Sequence, residues 1–354
     1  MKKITMQTVA ARAGVSVATV SRVFNGNERV DPAIIQRVRA AAQELGYHPT
    51  VNPTLLAEKA QQIALIVPTI ENSYYSSIAT GVIDAARQNG HRVTVLLSGA
   101  AHEQEVKCLS ELNGTGIIGI IYACRSGRML LEGLPGLQSI PMVIAARRCV
   151  KPGVPHIYAD NEKAGYLATK YLLRLKKRRI ALFLNFWTSD IKDYQSFLRV
   201  PPPLRGAFTA YDRYDGYCRA LYEAGISPDP ALIFFGGYSH EDGFRGAEAL
   251  LSGNTEFDAV LTPNDQFATG LIHMLSRQHI RVPEQLSVIC LNGGLLSNVV
   301  TPPLTYIEQD NYGLGVQAAA QLNELLCGRP GHDVKMDVSL VIRDSTAMAP
   351  DDAE

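Results

Sequence analysis

Apolar positions in the first fifty residues recur at helical spacing. Val9, Ala10 and Ala13 share one side of a segment from about Met6 to Ala13 that Thr5 can cap, and Gly14 ends it. Ser16 can cap a second helix, roughly Val17 to Asn25, with Val20 and Val23 on one face and Ala18, Thr19 and Arg22 on others. Asp31-Pro32 places an N-cap and a first-turn proline ahead of a third helix through Ile35, Val38, Ala42 and Leu45 to Gly46. Tyr47-His48-Pro49 then breaks any helix. In the following VNPTLLAEKAQQ, Asn52-Pro53 repeats the cap-then-proline signature and predicts a helix over Pro53, Leu55, Leu56 and Ala57. Nucleation costs more than so few hydrogen bonds return, so this helix should form only when docked; an ordinary flexible linker is the alternative in the free chain.

From Ile63 the pattern changes. Short β-branched runs alternate with helical segments: IALIV, SIATGVIDAARQNG, RVTVLL, a polar helix and GIIGIIY. After Asp160 come helix NEKAGYLATKYLLRL, strand IALFL, helix YDGYCRALYEAGI, strand ALIFF, helix DGFRGAEALL, strand DAVLT, helix DQFATGLIHML and strand LSVICL. This is the rhythm of parallel βαβ units. The expected fold is α/β, with an all-α headpiece over residues 1–47, a hinge over 48–61 and a two-lobed core of parallel sheets over 62–354.

Composition limits the function classes. The chain has 354 residues, 46% hydrophobic and 19% charged, and no run approaches the eighteen or so apolar residues of a membrane span. The opening MKKITMQTVA has no apolar region after its lysines, so no secretory signal is read and the cytoplasm is expected. Cys108, Cys124, Cys149, Cys218, Cys290 and Cys327 form no CxxC pair, which argues against zinc and disulfides and makes most of them small buried hydrophobes. No cofactor is expected. Net charge is zero overall, yet residues 1–60 carry eight Lys/Arg against four Asp/Glu, a weak pointer to a polyanion at that end.

Three short helices with a glycine-containing first turn form a helix-turn-helix. The major groove admits one helix, whose small N-terminal side chains permit close approach while an arginine grips a guanine edge. Val17, Ala18 and Arg22 are the expected base readers, with Ser16, Thr19, Ser21 and Asn25 available for phosphates; a plain three-helix bundle with a solvated Arg22 is the competing reading. The wording VAARAGVSVATVSRVFNG, followed by YHPT, resembles the DNA-binding headpiece of the lactose-repressor/galactose-repressor family of bacterial transcription regulators. With that resemblance, Thr5, Tyr47, His48 and Thr54 join the candidate DNA contacts. It also implies paired hinge helices, each wedging a leucine, here Leu56, into the minor groove. The usual hinge pattern Asn-x-x-Ala-Arg-x-Leu is replaced by residues Thr50 to Leu56, so the helix should start later and lose an arginine's phosphate contact.

The resemblance continues through the core and implies a periplasmic-binding-protein-like fold, with chain crossings near Asp160, Leu291 and Leu322. The lobes would then be about 62–160 with 292–322, and 161–291 with 323–345. Ligands of open α/β sheets bind beyond the carboxyl ends of strands, so loops after strands should line an inter-lobe cleft. In Asn72-Ser73-Tyr74-Tyr75, either tyrosine suits ring stacking, although one of them is equally suited to the core. Arg213, in DRYDGY, matches the family's effector-binding arginine; the alternative is a surface ion pair with Asp212 or Asp215. Tyr238 matches an aromatic over the ligand, and Asn264 a ligand contact. Asp265 is a pocket candidate or merely a helix cap, and Gln309 falls on a pocket position of some relatives.

Two departures alter the expected chemistry. Sugar-binding relatives commonly have Gly-aromatic-Asp-Asp where this chain has Cys290, Leu291, Asn292, Gly293, and Asp-Arg where it has Ala146-Arg147. With Arg147 and Arg213 kept, Arg148 and Arg125 potentially nearby, and Asn292 in place of a carboxylate, the expected effector is acidic, such as a sugar acid or sugar phosphate. The segment NFWTSDIKDYQSFLRVPPPLRGAFTAYD is longer than the family's usual loop; its aromatics, Trp187 among them, favour an ordered cover or interface over disorder.

Enzymatic signatures are absent from the sequence: it has no GxSxG elbow and no Walker loop, and His102-Glu103 and His240-Glu241 lack a second histidine, reading as surface residues. Lys176-Lys177-Arg178-Arg179 reads as a solvated turn. The expectation is therefore a regulator, in the form of a homodimer that binds a pseudopalindromic DNA duplex under small-molecule control, with no membrane partner. No leucine heptad follows Val341, so a tetramerising tail is not expected. A transport-type solute receptor with the same core is the alternative, disfavoured by the headpiece.

Overall fold

The computed structural model describes residues 5–24, 30–45, 47, 61–99, 102–112, 114–123, 139–148, 153–186, 190–253 and 255–348. The chain divides into two compact units, Met1–Gln61 and Gln62–Glu354. In the first, α1 (Met6–Ala13), α2 (Val17–Phe24) and α3 (Pro32–Glu44) enclose a core of Val9, Ala10, Ala13, Val20, Val23, Val38, Ala41 and Ala42. Thr5 caps α1 in a reciprocal box with Thr8, and Gly14 at φ 64° closes the helix in the left-handed region that glycine tolerates. Ser16 Oγ accepts from the Thr19 amide, and Asp31 from that of Ala33. Arg12 and Glu44 form an exposed ion pair at 2.6 Å.

The second unit holds two six-stranded sheets with helices on both faces. The first sheet runs β11-β5-β4-β3-β1-β2, all parallel: β1 (Gln62–Val67), β2 (Arg92–Leu97), β3 (Ile117–Tyr122), β4 (Met142–Ala145), β5 (His156–Ala159) and β11 (Val334–Met336). The second runs β12-β10-β9-β8-β6-β7: β6 (Ile180–Asn185), β7 (Ile233–Gly236), β8 (Ala259–Thr262), β9 (Ser287–Cys290), β10 (Thr305–Gln309) and β12 (Val338–Val341), with only β12 antiparallel to its neighbour. Strand alternation divides each core in two. Ile63, Leu65 and Val67 pack on one face of the first sheet and Ala64 and Ile66 on the other; Ile180, Leu182 and Leu184 oppose Ala181 and Phe183 in the second. Burial on both faces explains why these strands read as continuous apolar runs.

The covering helices are α4 (Ser73–Gln88), α5 (His102–Glu111) and α13 (Asn311–Leu326) on the first lobe, and α6 (Asn161–Arg174), α9 (Thr209–Glu223), α10 (His240–Ser252), α11 (Asp265–Arg277) and the short α12 (Leu295–Val299) on the second. Two lobe crossings differ from expectation. Strand β10 pairs with β9, so the chain leaves the second lobe at Asp310, not near Leu291; α13 packs on α4 and β11 pairs with β5, so it returns at Asp337, not near Leu322. The lobes are therefore 62–160 with 311–337 and 161–310 with 338–348, because strand pairing, which has no local sequence signal, decides where a crossing falls. Asp160 and Asp310 share one backbone shape (φ −71°, ψ 78° and φ −71°, ψ 76°), and each caps the helix that follows. Lys335 pairs with Asp160 at 2.7 Å and Lys163 with Asp337, binding the first and third crossings to each other.

Within the long segment before Arg213, residues 190–212 form α7 (Tyr194–Arg199) and α8 (Pro202–Arg205) around an aromatic cluster, in which Phe197 and Tyr211 stack at 4.3 Å and the Tyr194 and Tyr214 hydroxyls lie 2.7 Å apart. Trp187 lies outside the described residues, as do Cys124, Arg125 and Cys149. Cys108 and Cys290 are buried as expected, whereas Cys327 is exposed. The basic turn is not wholly solvated: Lys177 is only 2% exposed, and the Arg178 and Arg179 amides clasp the Asp258 carboxylate.

Candidate functional site

In the headpiece, Val20 and Val23 turn α2 inward and leave Val17, Ala18 and Arg22 exposed on its outer side, with Arg22 one turn beyond Ala18. This is the geometry a groove-reading helix needs: small side chains first, a long fork after them. Ser16 is exposed, and Thr19 and Ser21 are half-buried; the Ser16 and Thr19 hydroxyls lie 2.8 Å apart, so both serve the start of α2. The Thr5 hydroxyl is engaged in its cap, and Tyr47 packs against the headpiece core. Asn25, His48, Thr54, Leu56 and hinge residues 48–60 lie outside the described residues.

In the second unit, a cleft of about 460 Å³, counting space open to solvent, lies between the lobes. From the first lobe Tyr74, Tyr75 and Arg147 reach it; from the second, Arg213, Tyr238, Asn264 and Asn292. Tyr75 is also a core residue, meeting Tyr74 edge-on at 4.9 Å. Burial pushes the Tyr74 hydroxyl well above its ordinary pKa, and the charges of Arg147 and Arg213 partly oppose that. Arg213, 8% exposed, donates Nε to Asn161 Oδ1 at 2.9 Å and Nη1 to the Pro263 carbonyl at 3.0 Å. The surface ion pair with Asp212 or Asp215 is therefore not its role.

Asn264, not Asp265, caps α11: its Oδ1 accepts from the Phe267 amide while Nδ2 donates to the Tyr238 carbonyl. Asp265 is buried outside the cleft lining and accepts from the Leu296 amide; burial raises its pKa against several backbone N–H groups. Gln309 also lies outside the lining and donates to the Leu291 carbonyl at 3.1 Å, holding the loop that presents Asn292. Asn292 is 8% exposed, and its Oδ1 has no partner among the described residues. Arg148 leaves the cleft and pairs with Asp212.

Sequence reasoning missed Asn72, Ala146, Asn161, Thr209 and Pro263 in the lining. Asn72 caps α4, Asn161 opens α6 and Thr209 opens α9; an asparagine at a helix start directly after a strand is a readable signal for the first two. Thr209 was hidden by the insertion before it. Ala146 has φ 71°, a left-handed backbone that costs a non-glycine residue about 1–2 kcal/mol and turns the chain sharply between β4 and the arginines. Four helix N-termini, those of α4, α6, α9 and α11, thus face the cleft beside two arginines, and among the described residues no carboxylate lines it.

A model described as bacterial regulatory proteins, lacI family, matches residues 5–50, and one described as periplasmic binding proteins and sugar binding domain of LacI family matches residues 60–341. The chain is 30% identical to the HTH-type transcriptional repressor CytR of Escherichia coli strain K12, covering 98% of this chain and 97% of that protein. It is 29% identical to catabolite control protein A of Priestia megaterium, with 91% and 92% covered. A solved structure of the lac repressor dimer bound to operator and the anti-inducer ONPF superposes with TM-score 0.76 at 25% identity, covering 98% of this chain and 100% of that one. Among the described residues no helix is long and apolar enough to cross a membrane. A solute receptor would need the core alone, but the match takes in headpiece and core together: the chain belongs to the lacI family and is a transcriptional regulator, not an enzyme.

Proposed function

We propose that the protein is a cytoplasmic, homodimeric repressor of carbohydrate or sugar-acid utilisation genes, released from or recruited to its operator by an acidic effector held in the inter-lobe cleft. The observation that carries the effector class is the charge of the lining. Arg147 and Arg213 are buried there, 7% and 8% exposed, with no lining carboxylate among the described residues. Guanidinium groups lining the cleft attract an anion, and the helix N-termini add favourable potential for one. A sugar acid or sugar phosphate supplies both the anion and the hydroxyl groups that the Tyr74, Asn264 and Asn292 side chains suit.

The DNA half of the reading rests on the exposed Val17, Ala18 and Arg22 opposite the buried Val20 and Val23. Two headpieces on a two-fold axis suit a pseudopalindrome, and the lac repressor relative is described as a dimer on its operator. Leu295 and Val299, one turn apart on α12 and both exposed, offer an apolar surface for a second copy. Effector binding is taken to reorient the lobes and alter hinge pairing, with a reciprocal coupling of about 1–3 kcal/mol. Operators selected from random DNA, followed by titration of uronates, aldonates, sugar phosphates and neutral sugars against the complex, test both halves. Calorimetric binding of an acid with no neutral sugar bound is the expected result; tight binding of a neutral sugar with no acid bound overturns the effector class.

A further inference from the structure

Two pairs of sequence neighbours meet at the cleft mouth. Arg147 and Arg148 follow β4 in the first lobe; Asp212 and Arg213 lie in the first turns of α9 in the second. Arg147 and Arg213 line the cleft, whereas Arg148 Nη2 donates across the lobe boundary to Asp212 Oδ1. The pair is built into its surroundings. The Arg148 guanidinium lies over the Tyr158 ring of β5 at 5.7 Å, and a Cβ on Gly206, from the insertion, would stand 3.9 Å from its Cζ. The Asp212 side chain is 17% exposed.

We propose that the Arg148–Asp212 pair is a strap that ties the two lobes together at the mouth of the cleft and positions Arg147 and Arg213 toward one another across it. Three guanidinium groups, those of Arg147, Arg148 and Arg213, belong to the two segments that meet at this mouth, and like charges repel. Asp212 is the countercharge that joins one lobe to the other. The other acidic groups sensed by Asp212, namely Asp215, Glu162 and Asp160, all raise its pKa, while Arg148 lowers it. Arg148 is thus the partner that favours the carboxylate form. Because each strap residue is bonded through the backbone to a cleft arginine, loosening the strap displaces both arginines.

Hydrogen-exchange mass spectrometry on the unliganded full chain, without DNA, tests this independently of the effector reading. The hydrogen-bonded amides of Ala146, Ala207, Phe208 and Tyr211 report on the two sides of the mouth. In Asp212→Asn and in Arg148→Gln, exchange in peptides covering 142–148 and 206–213 should rise at least about fivefold, with headpiece peptides unchanged. In the charge-reversed double variant Arg148→Asp/Asp212→Arg it should return to within about twofold of the parent. Single variants that exchange like the parent overturn the proposal, as does a double variant no slower than the singles. Should Asp212→Asn fail to fold, Arg148→Lys, which keeps the charge, is expected to fall between parent and Arg148→Gln; exchange equal to that of Arg148→Gln overturns it as well.

Discussion

Arg213 is aimed by Asn161: Nε donates to Oδ1 at 2.9 Å, and Asn161 is itself held by its Nδ2 donating to the Ala159 carbonyl at 3.1 Å. Nη1 also donates to the Pro263 carbonyl, so the guanidinium lines the cleft from a fixed position. Arg213→Lys keeps the charge but loses the planar fork. Hydrogen bonds to charged groups contribute about 1.5–3 kcal/mol each, so affinity for an acidic effector should fall roughly ten- to a hundredfold. Asn161→Ala should weaken it less, by freeing rather than removing the guanidinium. Calorimetry on the folded variants checks the order; an Arg213→Lys variant that binds like the parent excludes bidentate recognition.

Arg22→Ala should cost roughly 1–3 kcal/mol at the selected operator and relax base preference at one position of each half-site. Competition binding against random DNA at fixed salt measures this. Equal affinities of variant and parent for operator and for random DNA would remove α2 from the role of reader.

Helices α6 and α9 approach at glycines. A Cβ on Gly165 would stand 2.1 Å from the Arg213 carbonyl oxygen, and one on Gly216 1.9 Å from that of Glu162. Neither neighbour is a side chain that can turn aside. Gly165→Ala and Gly216→Ala should each lower stability by about 1–3 kcal/mol, the usual cost of overpacking. Gly206→Ala, at φ −58° and with nothing nearer than 3.9 Å, should stay within about 0.5 kcal/mol of the parent. Urea unfolding gives all three values, and an unperturbed Gly216→Ala would refute the close crossing.

Burial raises the Asp212 carboxyl to about 6 despite Arg148. The folded chain therefore holds this proton more tightly than the unfolded chain, whose carboxyl has the ordinary value of 3.8. The contribution to stability is present below the unfolded value and is lost as pH rises through about 6. The unfolding free energy of the parent minus that of Asp212→Asn should therefore decline between pH 4 and 7, because groups common to both proteins largely cancel in the difference. A difference that is flat or rises over this range contradicts the assignment.

Local chemistry made much of this protein legible from its residues alone. Thr5, Gly14, Ser16 and Asp31 mark the ends of the headpiece helices because caps act within one turn. The apolar runs around Ile63 and Ile180 announce doubly covered parallel strands, whereas Arg147, Arg213, Asn264 and Asn292 became candidates through the family resemblance, and the structure places all four in the cleft lining. Tertiary structure alone decided the rest. Whether β10 belongs to one sheet or the other depends on pairing with β9, over a dozen residues upstream, and moves a lobe crossing from Leu291 to Asp310. Arg148 differs from Arg147 by one position, yet one lines the cleft and the other bridges the lobes. That choice arises from the backbone turn at Ala146 and from Asp212, 64 positions away in the sequence, and no local pattern of residues encodes a contact made across two separately folded sheets.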